Sequence, residues 1–138
     1  MDWRFLVPGR GLLIALSLLT VSLQTQPRLP IHVESLVYPT VAYQARITGD
    51  VVVMAQIDSE GHVQVPVRPP GHPMLVTAAE ENIRTWRFQS GPGTELTVTY
   101  HFRLEGESKY DHPSSVCKFD LPDSVTVVTP PPMVKTLY

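Results

Sequence analysis

The chain has 138 residues, a formal net charge of −2, 17% charged residues and 43% hydrophobic residues. That length holds one domain plus appendages, and without a basic field nothing calls for a nucleic-acid partner. The single cysteine, Cys117, excludes an intrachain disulfide framework and any Cys-x-x-Cys metal spacing, and the 14 prolines mark turns and tails between ordered pieces.

Residues Met1 to Gln26 read as a targeting segment rather than fold material. Arg4 and Arg10 lie at its start, and Leu12 to Leu23 is an uncharged run. A helix of about 12 residues reaches roughly 18 Å, short of the about 30 Å of a bilayer core. The run therefore fits the apolar region of an export signal better than a full span, with Thr20-Val-Ser22 the best small-x-small cleavage candidate. A short inner-membrane anchor facing the periplasm is the alternative. Residues 27–35, with Pro27 and Pro30, read as a linker.

Next, Pro39 at a first turn followed by Thr40 to Ile47 predicts a short helix ended by Gly49. Asp50 to Ile57 predicts a strand with Val51, Val53, Ala55 and Ile57 on one face, and Asp58-Ser-Glu-Gly61 is turn chemistry. Asp58, Glu60 and His62 offer too few converging oxygens for calcium, so turn punctuation is preferred over a metal site. His62 to Val67 is the second strand of this hairpin. Pro73 suits a first helical turn, and Leu75, Ala79, Ile83 and Trp86 form one apolar stripe of a helix that runs into Trp86-Arg-Phe88. Leu75, Ala79, Ile83, Trp86 and Phe88 are the expected structural core.

Thr94 to Leu104 alternates cleanly. Leu96, Val98, Tyr100, Phe102 and Leu104 point one way, while Glu95, Thr97, Thr99, His101 and Arg103 point to a wet face. The hairpin, the helix and this strand predict a small two-layer α+β domain, α-β-β-α-β, with a three-stranded antiparallel sheet of order 2-1-3 packed by helices. The third strand then lies at an edge, with unpaired N–H and C=O groups. Residues 105–138 form an extension. Val116 to Leu121 and Val125 to Thr129 suggest a second hairpin within 116–129, followed by a Pro-rich tail.

No nucleophile motif, phosphate-cradling loop or zinc signature is present, so neither an enzyme nor a metal or other cofactor is expected. His72 reads as helix entry, His101 as a solvated strand residue, and His32 and His112 as loop residues. Cys117 reads as a free or buried thiol, with an intermolecular disulfide the sharper option.

Tyr38-Pro39 with Ala45-Arg46, Gly49-Asp-Val-Val-Val, Ile57-Asp-Ser-Glu-Gly61, Gly71-His-Pro-Met-Leu75, Ala78-Ala79 and Trp86-Arg-Phe88 together resemble the C-terminal domain of TonB-type energy transducers, over about Leu36 to Leu104. The resemblance implies a periplasmic protein-binding module of the Gram-negative envelope. Its third-strand edge, here Glu95, Thr97, Thr99, His101 and Arg103, would accept an extended peptide from an outer-membrane TonB-dependent transporter. It also implies coupling to the ExbB–ExbD motor where the N-terminal segment is retained. The apolar run lacks the family's membrane His, and about 13 residues separate Leu23 from Val37, a reach of at most roughly 45 Å. The alternative is an envelope structural or assembly protein whose edge is capped by its own C-terminal hairpin or by self-association.

Overall fold

The computed structural model describes residues 28–108 and 114–133. The reading of Met1 to Gln26 as a targeting segment lies outside those residues, as do parts of the expected loop after Leu104 and of the tail. Helix α1 spans Thr40–Gln44, strand β1 Gly49–Ile57, β2 Val63–Gln64, helix α2 Pro73–Thr85, β3 Thr94–Leu104, β4 Val116–Asp120 and β5 Ser124–Thr129.

The sheet differs from the expected three antiparallel strands. It has five, in the order β2-β1-β3-β5-β4. The 2-1-3 core is antiparallel, with Val53 opposite Val98 in the β1–β3 register. The C-terminal hairpin then joins the same sheet through β5, which runs parallel to β3 from Thr99↔Ser124 to Leu104↔Thr129. The physical reason is burial. Val125 and Val127 are fully buried, and seated beside β3 they extend the apolar face formed by Tyr100 and Phe102.

Helix α2 covers that face, with Leu75, Val76, Ala79, Ile83 and Trp86 buried against Val51, Val53, Ala55, Ile57, Val98, Tyr100 and Phe102. Phe88, just past the helix, is also buried. The start of α2 is set locally. Pro73 sits in the first turn, and His72 Nδ1 accepts from the Met74 N–H at 3.3 Å. Its end is set from outside: Arg87 bridges His32 on one side and His62 on the other, which pulls the chain out of the helix at Trp86. The segment expected as a linker thus lies against the domain. Arg28 donates to the carbonyls of Gln89 and Pro92, and Arg87 N–H donates to the His32 carbonyl at 3.0 Å.

Three local expectations are corrected. Helix α1 ends at Gln44, and the chain turns away at Arg46, which takes a left-handed φ of 56°, and not at Gly49, which opens β1. The second strand shrinks from His62–Val67 to Val63–Gln64, because Pro66 has no N–H for a ladder. The hairpin strands shift slightly, β4 ending at Asp120 and β5 starting at Ser124. The β1–β2 turn follows the sequence closely. Asp58 Oδ1 accepts from the N–H groups of Glu60 and His62, both at 2.9 Å. Gly61, at φ 90°, also lets the backbone of Phe88 approach.

Candidate functional site: the outer flank of the third strand

Strand β3 has one flank on β1 from Thr94 to Phe102. Its other flank is divided. Thr99–Leu104 is paired with β5, whereas among the described residues no strand lies beside Thr94–Val98. The backbone geometry tells which groups face outward there. Thr99 N–H donates to the Asp123 carbonyl at 2.8 Å and Glu105 N–H to the Thr129 carbonyl at 3.0 Å. Strand groups alternate with period two, so the N–H and C=O of Glu95 and Thr97 point the same way, away from β1. Leu96, on the helix-side face of this open half, is only half-buried, whereas Val98, Tyr100 and Phe102 are fully buried.

The five expected site residues share the sheet face away from α2 but do not converge. Glu95 and Thr97 lie opposite Gln56 and Met54, at the open end. Thr99 lies between Val52 and Ser124. Val52 and Met54 are 46% and 60% exposed, which makes this face partly apolar. His101 and Arg103 gather at the far end around Asp50. His101 Nδ1 is 2.9 Å and an Arg103 guanidinium nitrogen 2.7 Å from Asp50 Oδ1. The hydrogen bond from His101, and then the charge and hydrogen bond of Arg103, hold the Asp50 carboxyl below the usual carboxylate range. The expectation of a merely solvated His101 is corrected: it is a half-buried member of this ion cluster.

Two polar residues of α2 that lie off the Leu75–Trp86 stripe are nonetheless buried, Glu80 and Asn82. Asn82 sits where the helix faces β3. Its Nδ2 donates to the Glu34 carbonyl at 2.8 Å, and its Oδ1 accepts from Trp86 Nε1 at 3.1 Å and Tyr100 Oη at 2.9 Å. A polar residue three after Ala79 and four before Trp86, on the edge of the apolar stripe, was the signal for it. Glu80 is also buried, and pairs with Arg68 at 3.4 Å and Arg84 at 3.6 Å. Tyr38 is buried beside Phe102 and donates to the Ile47 carbonyl. Burial raises its pKa, against the charge of Arg103.

Other chemistry is sparse. The described residues hold no group of three or more His, Cys, Asp or Glu placed to bind a metal. Among them, no helix is long and apolar enough to cross a membrane. Cys117 is a half-buried free thiol on β4, its pKa raised by burial and opposed by a hydrogen bond from the Leu36 backbone. A groove of about 420 Å³ runs between α1 and α2, lined by Pro39, Val41, Met74 and Glu81 among others. It lies on the helical layer, away from the β3 flank.

A family model described as the Gram-negative bacterial TonB protein C-terminal matches residues 34–105, just over half of the chain. Protein TonB of Klebsiella aerogenes is 37% identical over 73 residues, and Protein TonB of Klebsiella pneumoniae is 36% identical over 73 residues. In both cases the match covers 50% of this chain and 30% of the relative. No solved structure matches. The matched span holds α1, the β1–β2 hairpin, α2 and β3 and stops where the C-terminal hairpin's connection begins. A helix laid over an antiparallel 2-1-3 sheet, carried by this sequence, places the chain in the TonB family through its C-terminal domain.

Proposed function

We propose that this chain is a protein-binding module of the Gram-negative cell envelope, which receives an extended partner segment by strand addition on the outer flank of β3. In this reading it acts in TonB-type energy transduction to outer-membrane transport. The observation that supports it is the bare flank of Thr94–Val98, where outward N–H and C=O groups lack a neighbouring strand among the described residues. Such a row is a template for one more strand, with backbone hydrogen bonds giving affinity and side-chain positions giving choice. Glu95 and Thr97 on one face and half-buried Leu96 on the other are the β3 side chains that a strand added there would lie beside.

The partner is an outer-membrane TonB-dependent transporter, with the ExbB–ExbD motor engaged where the N-terminal segment stays on the chain. The module works in the periplasm, exported by that segment or held by it at the inner membrane. The pairing of β5 with Thr99–Leu104 favours a second reading, an envelope structural or assembly protein whose edge is closed by its own hairpin or by another copy.

Site-specific crosslinking in cells from position 97 (Thr97→Cys in a Cys117→Ser background) separates the two. Capture of an outer-membrane transporter is the expected result. Capture of this chain alone, within itself or as a pair, would remove the transporter reading and leave the second.

A further inference from the structure

We propose that β5 is an internal ligand of the β3 edge: it occupies the Thr99–Leu104 half of the flank on which a partner strand would add, and its sequence specifies the strand that fits there. The inference rests on the strand-addition reading above. Its first support is placement. The family match ends at residue 105, and the hairpin appended beyond it returns to lie on the one flank of β3 that the matched domain leaves bare.

The second support is the fit. β5 enters parallel to β3, tied at its start by Thr99 N–H to the Asp123 carbonyl and at its end by Glu105 N–H to the Thr129 carbonyl. Val125 and Val127 face inward opposite Tyr100 and Phe102 and are fully buried. Thr129 is buried too, its hydroxyl 2.8 Å from Ser115 Oγ. Ser124, Thr126 and Val128 face the other side and are half-buried. The seat thus takes a strand running parallel to β3, with small β-branched apolar residues at two alternate positions and a hydroxyl residue two further on. Charge at either inward position would be buried without a partner.

The hairpin meets the rest of the sheet through β5, because β4 borders β5 and not β3. Its described ties to the rest of the domain include Phe119 against Trp86, Ser115 Oγ to the Tyr38 N–H at 3.1 Å, and Arg46 to the Pro132 carbonyl at 3.0 Å. The 2-1-3 sheet and the α2 stripe have their own pairing and packing, separate from those ties. A tethered strand competes at an effective concentration on the order of millimolar. A free strand of equal fit therefore enters poorly until the tethered one is weakened.

The test uses the full chain carrying Cys117→Ser, Thr99→Cys and Ser124→Cys. These two positions are paired across β3 and β5, so oxidation locks β5 in its seat. The probe is a fluorescent peptide, Ser-Val-Thr-Val-Val-Thr with two added lysines, and the control carries Asp at the two inward valine positions. The probe is expected to bind the reduced chain and not the oxidised one. Adding Val127→Ala to the reduced chain should tighten probe binding at least ten-fold, and the control should bind neither form. Equal binding to oxidised and reduced chains overturns the internal-ligand proposal while leaving strand addition on Thr94–Val98 standing. No binding to the reduced chain at millimolar probe also overturns it, as does a folded Val127→Ala chain that binds no tighter. Should Val127→Ala fail to fold, the redox comparison decides by itself. Redox-gated binding without transporter capture from position 97 would keep the internal ligand and remove the transporter reading.

Discussion

Replacing Asn82 with Ala tests how the helix is fastened to the edge strand. The side chain is 6% exposed, and its Oδ1 is shared by two donors, Trp86 Nε1–H and Tyr100 O–H, whose residues are fully buried. Ala leaves both donors without a partner, at about 1–3 kcal/mol each. The Glu34 carbonyl, on an exposed residue, can turn to water and adds roughly 0.5 kcal/mol. The expected loss is about 3–5 kcal/mol, a large share of the roughly 5–15 kcal/mol that holds a domain folded. Urea denaturation of Asn82→Ala, Tyr100→Phe and the double variant measures it. Tyr100→Phe should cost about 1 kcal/mol in the native background and nothing, or a gain, in the Asn82→Ala background, because there it deletes an orphaned donor. If Tyr100→Phe costs the same in both backgrounds within about 0.5 kcal/mol, the shared acceptor does not fasten α2 to β3 and the reasoning is wrong.

Gly61→Ala should destabilise by more than about 2 kcal/mol, since φ is 90° and a Cβ there would meet the Phe88 carbonyl oxygen at 1.9 Å; thermal melts read it, and an unchanged melting temperature would reject the close approach. Asp50→Asn should cost about 0.5–1 kcal/mol at pH 7, in keeping with a half-exposed ion cluster. Because the folded pKa of Asp50 is lowered, that stability is present above the ordinary carboxylate range and is lost as the pH falls through the folded value, so the variant and the parent should converge in acid denaturant titrations. Cys117, its pKa raised by burial, should react with a thiol reagent at pH 8 more slowly than in the unfolded chain. Val127→Ala should speed that labelling by loosening the hairpin, and equal rates would show that Cys117 does not report on hairpin opening.

The sequence by itself determined the local pieces. The Asp58–Gly61 turn, the proline start of α2, its stripe of Leu75, Ala79, Ile83 and Trp86, and the alternation of Thr94–Leu104 are patterns of period or chain stereochemistry, and each is a short-range property. The antiparallel order 2-1-3 followed from them, because a helix that crosses a sheet returns the chain in only a few ways. The tertiary structure decided what local pattern cannot. It ended α2 at Thr85 by pairing Arg87 with His32 and His62, partners distant in sequence. It gave Asn82 three partners from three elements. It seated the Val-rich hairpin parallel to β3 over Thr99–Leu104 and, among the described residues, placed no strand beside Thr94–Val98. Strand pairing is specified by which faces must be buried together, and the inward valines of β5 carry no mark in the sequence of the strand they will join. The candidate edge was therefore legible as a strand with one wet face, while the division of its flank between a self-paired half and a half with no strand beside it among the described residues required the fold.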